Sequence, residues 1–346
     1  MLESTHFPGA KKYWHNGEIY DWNTKVVHVM AHALHYGSSV FEGIRAYLTD
    51  RGPAIFRLSD HIDRFFASAH AINMEVPYTK AEMMEASRQI IRENRLASAY
   101  LRPNLFYGYG NLGLTPKFSP VELTIGCWEW GRYLGEASLQ NGVHALLLPQ
   151  KRFHPTQINA SVKLGGLYVQ SNIYATEARR RGFDEAIFLN LEERIAEGPG
   201  ENIVIVNGNT LRTNDKSESV LEGITRTSIL EIAENLGYET EIAPITVADL
   251  FNADEAFFTG TAAEITPITK ITDSRDRSLA QESWQTHVIG NGKPGEITLR
   301  LATLYGEIVR GKHKEYAHWL TDVYDSPEEA RIALNGSLTR EHLPEY

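Results

Sequence analysis

The amino-acid sequence predicts an α+β protein with two domains, and three observations support this prediction. The chain has 346 residues, of which 42% are apolar, so it can bury two hydrophobic cores of ordinary size. Segments with strand-like and helical patterns are interspersed along the chain without an internal repeat. The pattern loses its period between residues 131 and 142. We therefore expect a small N-terminal domain over 1–134, a linker over 135–142 and a larger C-terminal domain over 143–346.

The first domain is predicted to begin with β-structure and to continue with two helices. An Asn-Gly pair at 16–17 between apolar flanks is a hairpin signal, and Ser59 is a candidate cap for the first helix. Thr79 and Glu82 have the spacing of a capping box, which predicts a second helix as far as Leu96. The other predicted strands of this domain cover residues 39–47, 54–58, 99–107 and 121–130.

The second domain mixes helices and strands in the same way. An Asn-Gly-Asn turn at 207–209 joins the two strands of a hairpin, and Gly237 ends a helix. The basic run at 179–181 falls at the end of another predicted helix, where positive charge complements the helix dipole. The predicted elements are strands at 144–148, 184–191, 203–206, 210–213 and 255–261, a helix that follows the Lys163 segment and ends at Arg181, a helix at 225–236 and a helix in the tail after Tyr324.

The composition excludes several classes of function. The net charge is −10, from 34 basic and 44 acidic residues, which argues against nonspecific binding to nucleic acid or to an anionic membrane. The sequence predicts neither a signal peptide nor a membrane-spanning segment. Cys127 is the only cysteine, so it cannot form an intrachain disulfide, and we expect it to be a buried apolar residue. These features predict a cytoplasmic protein.

Three histidines invite a metal-site interpretation. His28, His32 and His35 have the spacing i, i+4 and i+7, which would place them on one face of a helix. However, residues 26–30 look like the end of a strand, and Gly37 would break a helix soon afterwards. Neither a cysteine nor a suitably spaced glutamate supports a zinc site here. We therefore predict no metal and expect packed or hydrogen-bonded histidines.

Lys163 is the strongest candidate for chemistry in this sequence. It is followed by Tyr168 and, further along the chain, by a Glu-Gly-Pro-Gly-Glu-Asn turn at 197–202. A lysine that forms a Schiff base must be partly desolvated and must stand next to a carbonyl cofactor. Pyridoxal phosphate also needs an acid at its pyridine nitrogen, a donor at its phenolic oxygen and N–H groups at a helix start for its phosphate. Glu197, Tyr168 and the helix start at 223–225 are candidates for these three roles.

Five stretches of the chain are similar to those of known enzymes. They are His-Ala-Leu-His-Tyr-Gly-Ser-Ser-Val-Phe-Glu-Gly-Ile-Arg at 32–45, Ala-Tyr-Leu-Arg-Pro at 99–103, Glu-Gly-Pro-Gly-Glu-Asn at 197–202, Gly-Ile-Thr-Arg at 223–226 and Gly-Thr-Ala-Ala-Glu-Ile-Thr-Pro at 260–267. In these stretches the chain resembles the fold-type-IV pyridoxal-phosphate aminotransferases, and most closely the branched-chain amino-acid aminotransferases. The resemblance implies a two-domain fold like that of D-amino-acid aminotransferase, with a small α/β N-terminal domain and a larger, β-barrel-like C-terminal domain.

The resemblance also implies a role for each matching residue. Lys163 would form the internal aldimine and carry the proton between the substrate Cα and the cofactor C4′. Glu197 would pair with the pyridine nitrogen, and Tyr168 would bond the phenolic oxygen. The cofactor phosphate would be held by Arg64, Ile224, Thr225 and Thr261.

The implied substrate site has to accept two kinds of side chain. Tyr100 and the backbone at Thr261 and Ala262 would meet the substrate α-carboxylate. An arginine at the edge of an apolar pocket, Arg102, can bind the γ-carboxylate of glutamate and otherwise rest on hydrogen bonds, so it leaves no uncompensated buried charge. The residues that would line the side-chain pocket are Tyr36, Phe41, Leu114, Trp130 and Tyr133.

The implied reaction moves the amino group between L-branched-chain amino acids (Leu, Ile, Val) and 2-oxoglutarate, so the partners are amino acids, 2-oxo acids and glutamate. Family members are homodimers or larger, and the loop around 112–114 enters the neighbouring site. A D-amino-acid aminotransferase, an (R)-amine transaminase and an aminodeoxychorismate lyase are alternatives within the same fold, and a non-enzymatic binding module is an alternative outside it. Two departures from the family pattern bear on substrate range: Asn159 stands where a proline is expected, and the loop at 150–154 lacks the common tryptophan.

Overall fold

The structure, a computed structural model, describes residues 7–131, 134–135, 137–159 and 161–334. Its strands are β1 (Lys12–His15), β2 (Glu18–Asp21), β3 (Ser39–Phe41), β4 (Ile44–Thr49), β5 (Gly52–Phe56), β6 (Ala99–Tyr107), β7 (Val121–Trp128), β8 (Val143–Lys151), β9 (Glu185–Leu189), β10 (Asn202–Asn207), β11 (Thr210–Thr213), β12 (Glu239–Ile242), β13 (Glu255–Gly260), β14 (Glu264–Asp273), β15 (Gln285–Val288) and β16 (Leu320–Asp322). Its α-helices are α1 (His32–Tyr36), α2 (Leu58–Ala71), α3 (Lys80–Asn94), α4 (Ser138–Asn141), α5 (Tyr168–Arg180), α6 (Ile224–Asn235), α7 (Val247–Phe251), α8 (Glu296–Ile308) and α9 (Pro327–Ala333). Among these described helices, none is long and apolar enough to cross a membrane.

The described residues form two compact units, and this division differs from the predicted domains. The first unit contains not only the N-terminal residues up to Trp130 but also residues 162–166 and 306–334, which the sequence assigned to the C-terminal domain. The second unit contains the described residues of 131–161 and 167–305. Strand pairing causes the difference, because β16 pairs with β5 and the segment after Ser161 forms a bridge to β3. Such long-range pairing cannot be read from a local pattern.

The first unit is built on an eight-stranded sheet in the order β16-β5-β4-β6-β7-β1-β2, with β3 paired to β6. Helices α2 and α3 pack against each other, and α3 also packs on β1 and β7. Phe65 of α2, Ile90 of α3 and Leu101 of β6 are fully buried in one apolar core. This core holds β3, β6 and α2, which carry four of the candidate site residues of the first unit, Phe41, Arg64, Tyr100 and Arg102.

The helices of the first unit show one confirmed and one wrong prediction. The hydroxyl of Thr79 accepts from the N–H of Glu82 (3.2 Å), and the Glu82 carboxylate accepts from the N–H of Thr79 (2.7 Å), so the predicted capping box is confirmed. The predicted cap at Ser59 is wrong, because α2 already begins at Leu58. Arg57 takes the N-cap position in the left-handed conformation, with φ 48° and ψ 41°.

The second unit contains an eight-stranded sheet in the order β12-β11-β10-β13-β14-β8-β9, with β15 paired to β14. Helix α5 packs on β9, and α6 packs on β12 and β13. The predicted hairpin of β10 and β11 is present, whereas β14 was not predicted from the sequence. Pro267 lies within β14, and a proline inside an apolar run argues against a strand. It is tolerated opposite Phe257, because the pairing of β14 with β8 begins only at Ile268.

Candidate active site

Lys163 lies in the first unit, in a short segment that runs beside β3. Its backbone N–H donates to the Oγ of Ser68 on α2 (3.1 Å), and its carbonyl oxygen accepts from the N–H of Phe41 (3.1 Å). The glycines near the lysine allow this close approach, because a Cβ on Gly37 would lie 2.9 Å from the Cα of Gly166. The local sequence therefore holds the backbone of Lys163 against β3 and α2.

Two cationic side chains lie near the ring of Phe41. The Nζ of Lys163 lies 4.9 Å from the ring centroid, and the guanidinium carbon of Arg102 lies 4.7 Å from it. Both separations are within the range of cation–π interactions. The Nη2 of Arg102 also donates to the hydroxyl of Tyr100 (3.0 Å), whose ring packs edge-on against Trp130 with 4.5 Å between the centroids. The structure thus brings these five predicted site residues together.

A cavity of about 840 Å³ adjoins this group, and six of its 14 lining residues are aromatic. Phe41, Arg102 and Trp130 are among its lining residues, together with Trp22 and Trp128. The Nε of Arg102 is buried and makes no hydrogen bond within the part of the chain that the structure describes. A buried N–H without an acceptor is costly, so the acceptor group of a ligand would be a favourable partner.

Arg64, the predicted phosphate residue, forms an ion pair with Glu42. Its Nε and Nη2 donate to the two carboxylate oxygens of Glu42 at 2.7 and 2.9 Å. Burial raises the pKa of Glu42, but the charge of Arg64 and hydrogen bonds from His61 and Arg64 outweigh burial, so this pKa lies well below its ordinary value. Burial lowers the pKa of His61, which keeps the histidine neutral at pH 7. Sequence reasoning assigned no role to Glu42 or His61.

Three predicted pocket residues are not part of the group around Phe41 described above. Leu114 is 83% exposed and Tyr36 is 46% exposed, and the hydroxyl of Tyr36 donates to the carbonyl oxygen of Leu112 (2.8 Å). Tyr133 lies outside the described residues. The pocket roles of Tyr36, Leu114 and Tyr133 therefore stay predictions.

Glu197, the predicted partner of the pyridine nitrogen, lies in the second unit beside Arg152. Its Oε2 accepts from the N–H of Leu221 (3.0 Å), and its Oε1 lies 3.1 Å from the Nε of Arg152. The Arg152 contact is an ion pair without the alignment of a hydrogen bond. Other nitrogens of this buried guanidinium donate to the Oγ of Ser171 (3.0 Å) and to the carbonyl oxygen of Gly198 (2.9 Å). Arg152 thus fixes Glu197 and its turn, a role that sequence reasoning missed because it noted this loop only as a departure.

Glu201, in the same turn, is a second buried carboxylate that sequence reasoning did not single out. It is 4% exposed, and its Oε2 accepts from the N–H of Gly200 (3.0 Å). Burial raises the pKa of Glu201 to about 7, and the nearby charge of Glu197 adds to this rise. The Gly200 hydrogen bond and the charges of Arg152 and Arg179 oppose it.

The turn at 197–202 packs against two other stretches that were predicted to bind the cofactor. Asn202 pairs with Thr259, which places the turn beside the end of β13. The Nδ2 of Asn202 donates to the carbonyl oxygen of Leu221 (2.7 Å), and a Cβ on Gly223 would lie only 2.2 Å from the Oδ1 of Asn202. The lack of a side chain at Gly223 therefore lets the start of α6 approach the turn.

The remaining candidates of the second unit lie on these elements or next to them. Ile224 and Thr225 are the first two residues of α6, where backbone N–H groups without intrahelical partners suit an anion. Thr261 and Ala262 directly follow β13. Tyr168 is the first residue of α5, the helix that also carries the Oγ acceptor of Arg152.

The three histidines of the metal-site interpretation have separate partners. His32 interacts through its Nδ1 with the Oγ of Ser38 (2.7 Å), and His35 interacts through its Nε2 with the carbonyl oxygen of Val29 (3.1 Å). The Nδ1 of His28 accepts from a backbone N–H two residues later. Within the described part of the chain, no group of three His, Cys, Asp or Glu side chains is arranged to hold a metal ion. Residues 26–30, expected to end a strand, form no strand, and α1 follows them.

Comparison with known proteins agrees with the motifs. The family model for amino-transferase class IV matches residues 39–271. The chain is similar to the branched-chain-amino-acid aminotransferase of Pseudomonas aeruginosa, with 42% identity over 89% of this chain and 96% of the relative. It is also similar to the Escherichia coli K12 enzyme of the same name, with 38% identity over 91% of this chain and 98% of the relative.

Solved structures support the same relationship and the predicted α+β fold. A crystal structure of a branched-chain amino acid aminotransferase with pyridoxamine 5′-phosphate matches with a TM-score of 0.84 and 40% identity, over 91% of this chain and 99% of that chain. The Escherichia coli branched-chain amino acid aminotransferase matches with a TM-score of 0.85 and 38% identity, over 91% of this chain and 100% of that chain. These similarities confirm both the predicted fold class and the predicted family. The chain belongs to the class IV aminotransferases, with the fold-type-IV architecture.

Proposed function

We propose that this protein is a pyridoxal 5′-phosphate-dependent aminotransferase that moves the amino group between L-leucine, L-isoleucine or L-valine and 2-oxoglutarate. Its family supports the reaction type, and its curated relatives are named branched-chain-amino-acid aminotransferases. Similar solved structures include complexes with pyridoxamine 5′-phosphate and with N-(5′-phosphopyridoxyl)-L-glutamate. In the chain itself, the observation that carries the proposal is the group formed by Lys163, Phe41 and Arg102.

The residues of this chain fit the chemical groups of pyridoxal 5′-phosphate. Lys163 supplies a half-buried amine for the aldehyde, and Glu197 supplies a carboxylate, fixed by Leu221 and Arg152, for the pyridine nitrogen. We assign the phenolic oxygen to Tyr168. A phosphate is bound well by an arginine guanidinium and by the backbone N–H groups at the start of a helix. We assign the phosphate to Arg64, Ile224, Thr225 and Thr261.

The proposed mechanism gives Lys163 and Glu197 different proton roles. When bound, pyridoxal 5′-phosphate supplies a protonated pyridine ring that delocalises the electron pair left when the substrate Cα loses its proton. Glu197 would hold the proton on the ring nitrogen. The amine of Lys163 would take the proton from the substrate Cα and return it at C4′ of the bound cofactor. Backbone hydrogen bonds to Ser68 and Phe41 fix the base of this side chain, so only its flexible stem has to move.

The substrate is held at its α-carboxylate and at its side chain. We assign the α-carboxylate to the hydroxyl of Tyr100 and to the backbone at Thr261 and Ala262. The aromatic walls of the cavity suit an apolar side chain. We propose that the side-chain pocket is formed by Tyr36, Phe41, Leu114, Trp130 and Tyr133.

Arg102 explains how one site would accept both apolar and acidic side chains. Its guanidinium rests on the Tyr100 hydroxyl and on the ring of Phe41, so it is compensated when an apolar side chain is bound. Its buried Nε, which has no acceptor within the described residues, can donate to the γ-carboxylate of glutamate or 2-oxoglutarate.

Substrate kinetics test this assignment. Arg102→Ala should lower kcat/KM for 2-oxoglutarate by about 10- to 100-fold and kcat/KM for L-leucine by less than about threefold, because only the acid uses the guanidinium as its partner. Lys12→Ala is the matched control, since it removes a partly exposed cation of the same unit that does not line the cavity, and it should change neither value. Equal losses for both substrates would contradict the role of Arg102. Faster turnover of D-alanine or an (R)-arylamine than of L-leucine would contradict the proposed substrate class.

We further propose a homodimer or a larger homo-oligomer. Tyr109 forms a β-bridge with Ala31, and its ring lies tilted against that of His28 with 4.2 Å between the centroids, so residues 27–36 lie beside the segment that starts at Tyr109. The large apolar side chains exposed on these two segments are Val27, Val29, Met30, Leu34, Tyr36, Tyr109, Leu114 and Phe118. Exposed apolar residues gathered in this way suit a second copy of the chain.

We also propose a cytoplasmic location. The support is chemical: Cys127 is the only cysteine and is buried, as the sequence predicted. Burial raises the pKa of the Cys127 thiol to about 12, so the reactive thiolate is disfavoured. A chain with one cysteine cannot form an intrachain disulfide, so an oxidising compartment would not stabilise its fold.

A further inference from the structure

Glu42 and His61 form a buried cluster beside Arg64, and the proposed reaction gives them no role so far. The side chain of Glu42 is 0% exposed, that of His61 is 1% exposed and that of Arg64 is 16% exposed. A carboxylate in such surroundings is costly unless it is paired and hydrogen-bonded. The pairing with Arg64 meets this requirement, and it also ties a candidate phosphate residue to the interior of the first unit.

The hydrogen bonds of Glu42 fix the plane of the guanidinium. Oε1 accepts from the Nε of Arg64 (2.7 Å), and Oε2 accepts from the Nη2 of Arg64 (2.9 Å), which is a two-pronged geometry. Oε2 also lies 2.8 Å from the Nδ1 of His61. Because a carboxylate only accepts, the neutral His61 carries its proton on Nδ1 and donates it to Glu42. His61 thereby fixes the carboxylate without adding a charge.

The backbone connects this cluster to the other candidate residues of the first unit. The N–H of Glu42 donates to the carbonyl oxygen of Pro103 (3.0 Å), in the strand that carries Arg102. The preceding residue, Phe41, donates its N–H to the carbonyl oxygen of Lys163 (3.1 Å). The carboxylate of Glu42 is therefore held from its backbone as well as by its partners.

We propose that Glu42 and His61 are positioning residues that hold the guanidinium of Arg64 ready for the cofactor phosphate. This inference rests on the proposed function, in which Arg64 binds that phosphate. An arginine that is already oriented loses less rotamer freedom when its ligand binds. Glu42 sets the direction of the guanidinium, and His61 sets the direction of Glu42.

An orienting role and a purely electrostatic role of Glu42 predict opposite effects of Glu42→Gln on phosphate binding. Glu42→Gln removes a negative charge close to a phosphate site, so Coulomb attraction alone would tighten phosphate binding. The amide introduced by Glu42→Gln has only one oxygen to accept from the Nε and Nη2 of Arg64. The guanidinium would therefore lose its fixed orientation, and phosphate binding would weaken. The sign of the change therefore separates the two explanations.

The test compares pyridoxal 5′-phosphate with pyridoxal, which lacks the phosphate, by equilibrium titration of the full-length protein after cofactor removal. Glu42→Gln should raise the Kd for pyridoxal 5′-phosphate about tenfold and leave the Kd for pyridoxal within about twofold, because only the first ligand uses Arg64. His61→Leu should have the same selectivity. His61→Asn, whose amide can replace the Nδ1 donor, should restore most of the affinity. In an Arg64→Leu background, Glu42→Gln should cause no further loss.

Asp63→Asn is the matched control, because it removes an exposed carboxylate from the residue next to Arg64 and should change neither Kd. If Glu42→Gln does not fold, the comparison of His61→Leu with His61→Asn carries the test, since neither changes the charge at pH 7. Unchanged or tighter binding of pyridoxal 5′-phosphate by the variants, or equal losses for both ligands, would overturn the positioning role alone. A wild-type protein that binds neither ligand would overturn the proposed function and this inference with it.

Discussion

Glu42 in the first unit and Glu201 in the second unit are both buried carboxylates, yet their pKa values move in opposite directions. Burial raises the pKa in both cases. Glu42 faces Arg64 and His61, and together these outweigh burial. Glu201 accepts a backbone hydrogen bond and lies close to another carboxylate, Glu197, so burial prevails. Partners within hydrogen-bond reach, and not depth alone, therefore decide whether a buried acid is charged.

The difference also suggests what each carboxylate is for. The ion pair of Glu42 gives Arg64 a fixed direction at neutral pH. Glu201 changes its charge near pH 7 in the same turn as Glu197, which we assign to the pyridine nitrogen. The first unit therefore holds a permanent charge pair, whereas the second unit holds a group whose charge follows the pH.

The largest expected effect comes from breaking the ion pair of the first unit. Glu42→Ala should lower the free energy of unfolding at pH 7 by about 3 kcal/mol, because it removes the buried carboxylate that pairs with the largely buried Arg64. Urea unfolding measures this change. Asp63→Ala, which removes an exposed carboxylate of the same helix, should cost no more than about 0.5 kcal/mol. A loss below about 1 kcal/mol for Glu42→Ala would show that the ion pair with Arg64 contributes little to stability.

An effect of opposite sign, at most of the same size, is expected in the second unit. The pKa of Glu201 is raised in the folded state, so the folded protein binds this proton more tightly than the unfolded chain does. Its contribution to stability is therefore fully present below the ordinary glutamate pKa and is lost as the pH rises through about 7. Glu201→Gln should leave stability unchanged at pH 4 and raise it by up to about 3 kcal/mol at pH 8, since it removes the cost of a buried charge.

Urea unfolding of wild type and Glu201→Gln at the two pH values checks this prediction. Glu42→Gln is the matched comparison, and it should destabilise the protein at pH 8, because the lowered pKa of Glu42 means that its charged form is the favourable one. The cost of Glu42→Gln should shrink as the pH falls below the ordinary glutamate pKa. The same response from both variants would remove the distinction between the two carboxylates.

The sequence predicted a feature of the fold when the whole signal was local. Thr79 and Glu82 predicted the start of α3, because a capping box is complete within four residues. Ser59 misled because the chain enters α2 through a left-handed residue, and no local signal marks such a conformation. β14 was not predicted, and its pairing with the distant strand β8 is set only by the folded chain.

The sequence predicted the site residues that lie in recognisable motifs. It did not predict the ion pairs between residues that are distant in the chain. The stretch around Lys163 and the turn containing Glu197 stood out because their residue types and spacing match a cofactor's needs. The pairs Glu42–Arg64 and Arg152–Glu197 join residues far apart in the chain, so only folding brings them together. The partners of a buried charge depend on tertiary structure, and pattern alone cannot supply them.

The central claim is that Lys163 carries the cofactor, and borohydride reduction of the purified protein loaded with pyridoxal 5′-phosphate tests it most directly. Reduction fixes a lysine-linked pyridoxal group to the chain, and tandem mass spectrometry then locates it. We expect one label per chain, on Lys163, and none after Lys163→Ala. A label on another lysine, or an unlabelled wild-type chain, would contradict it.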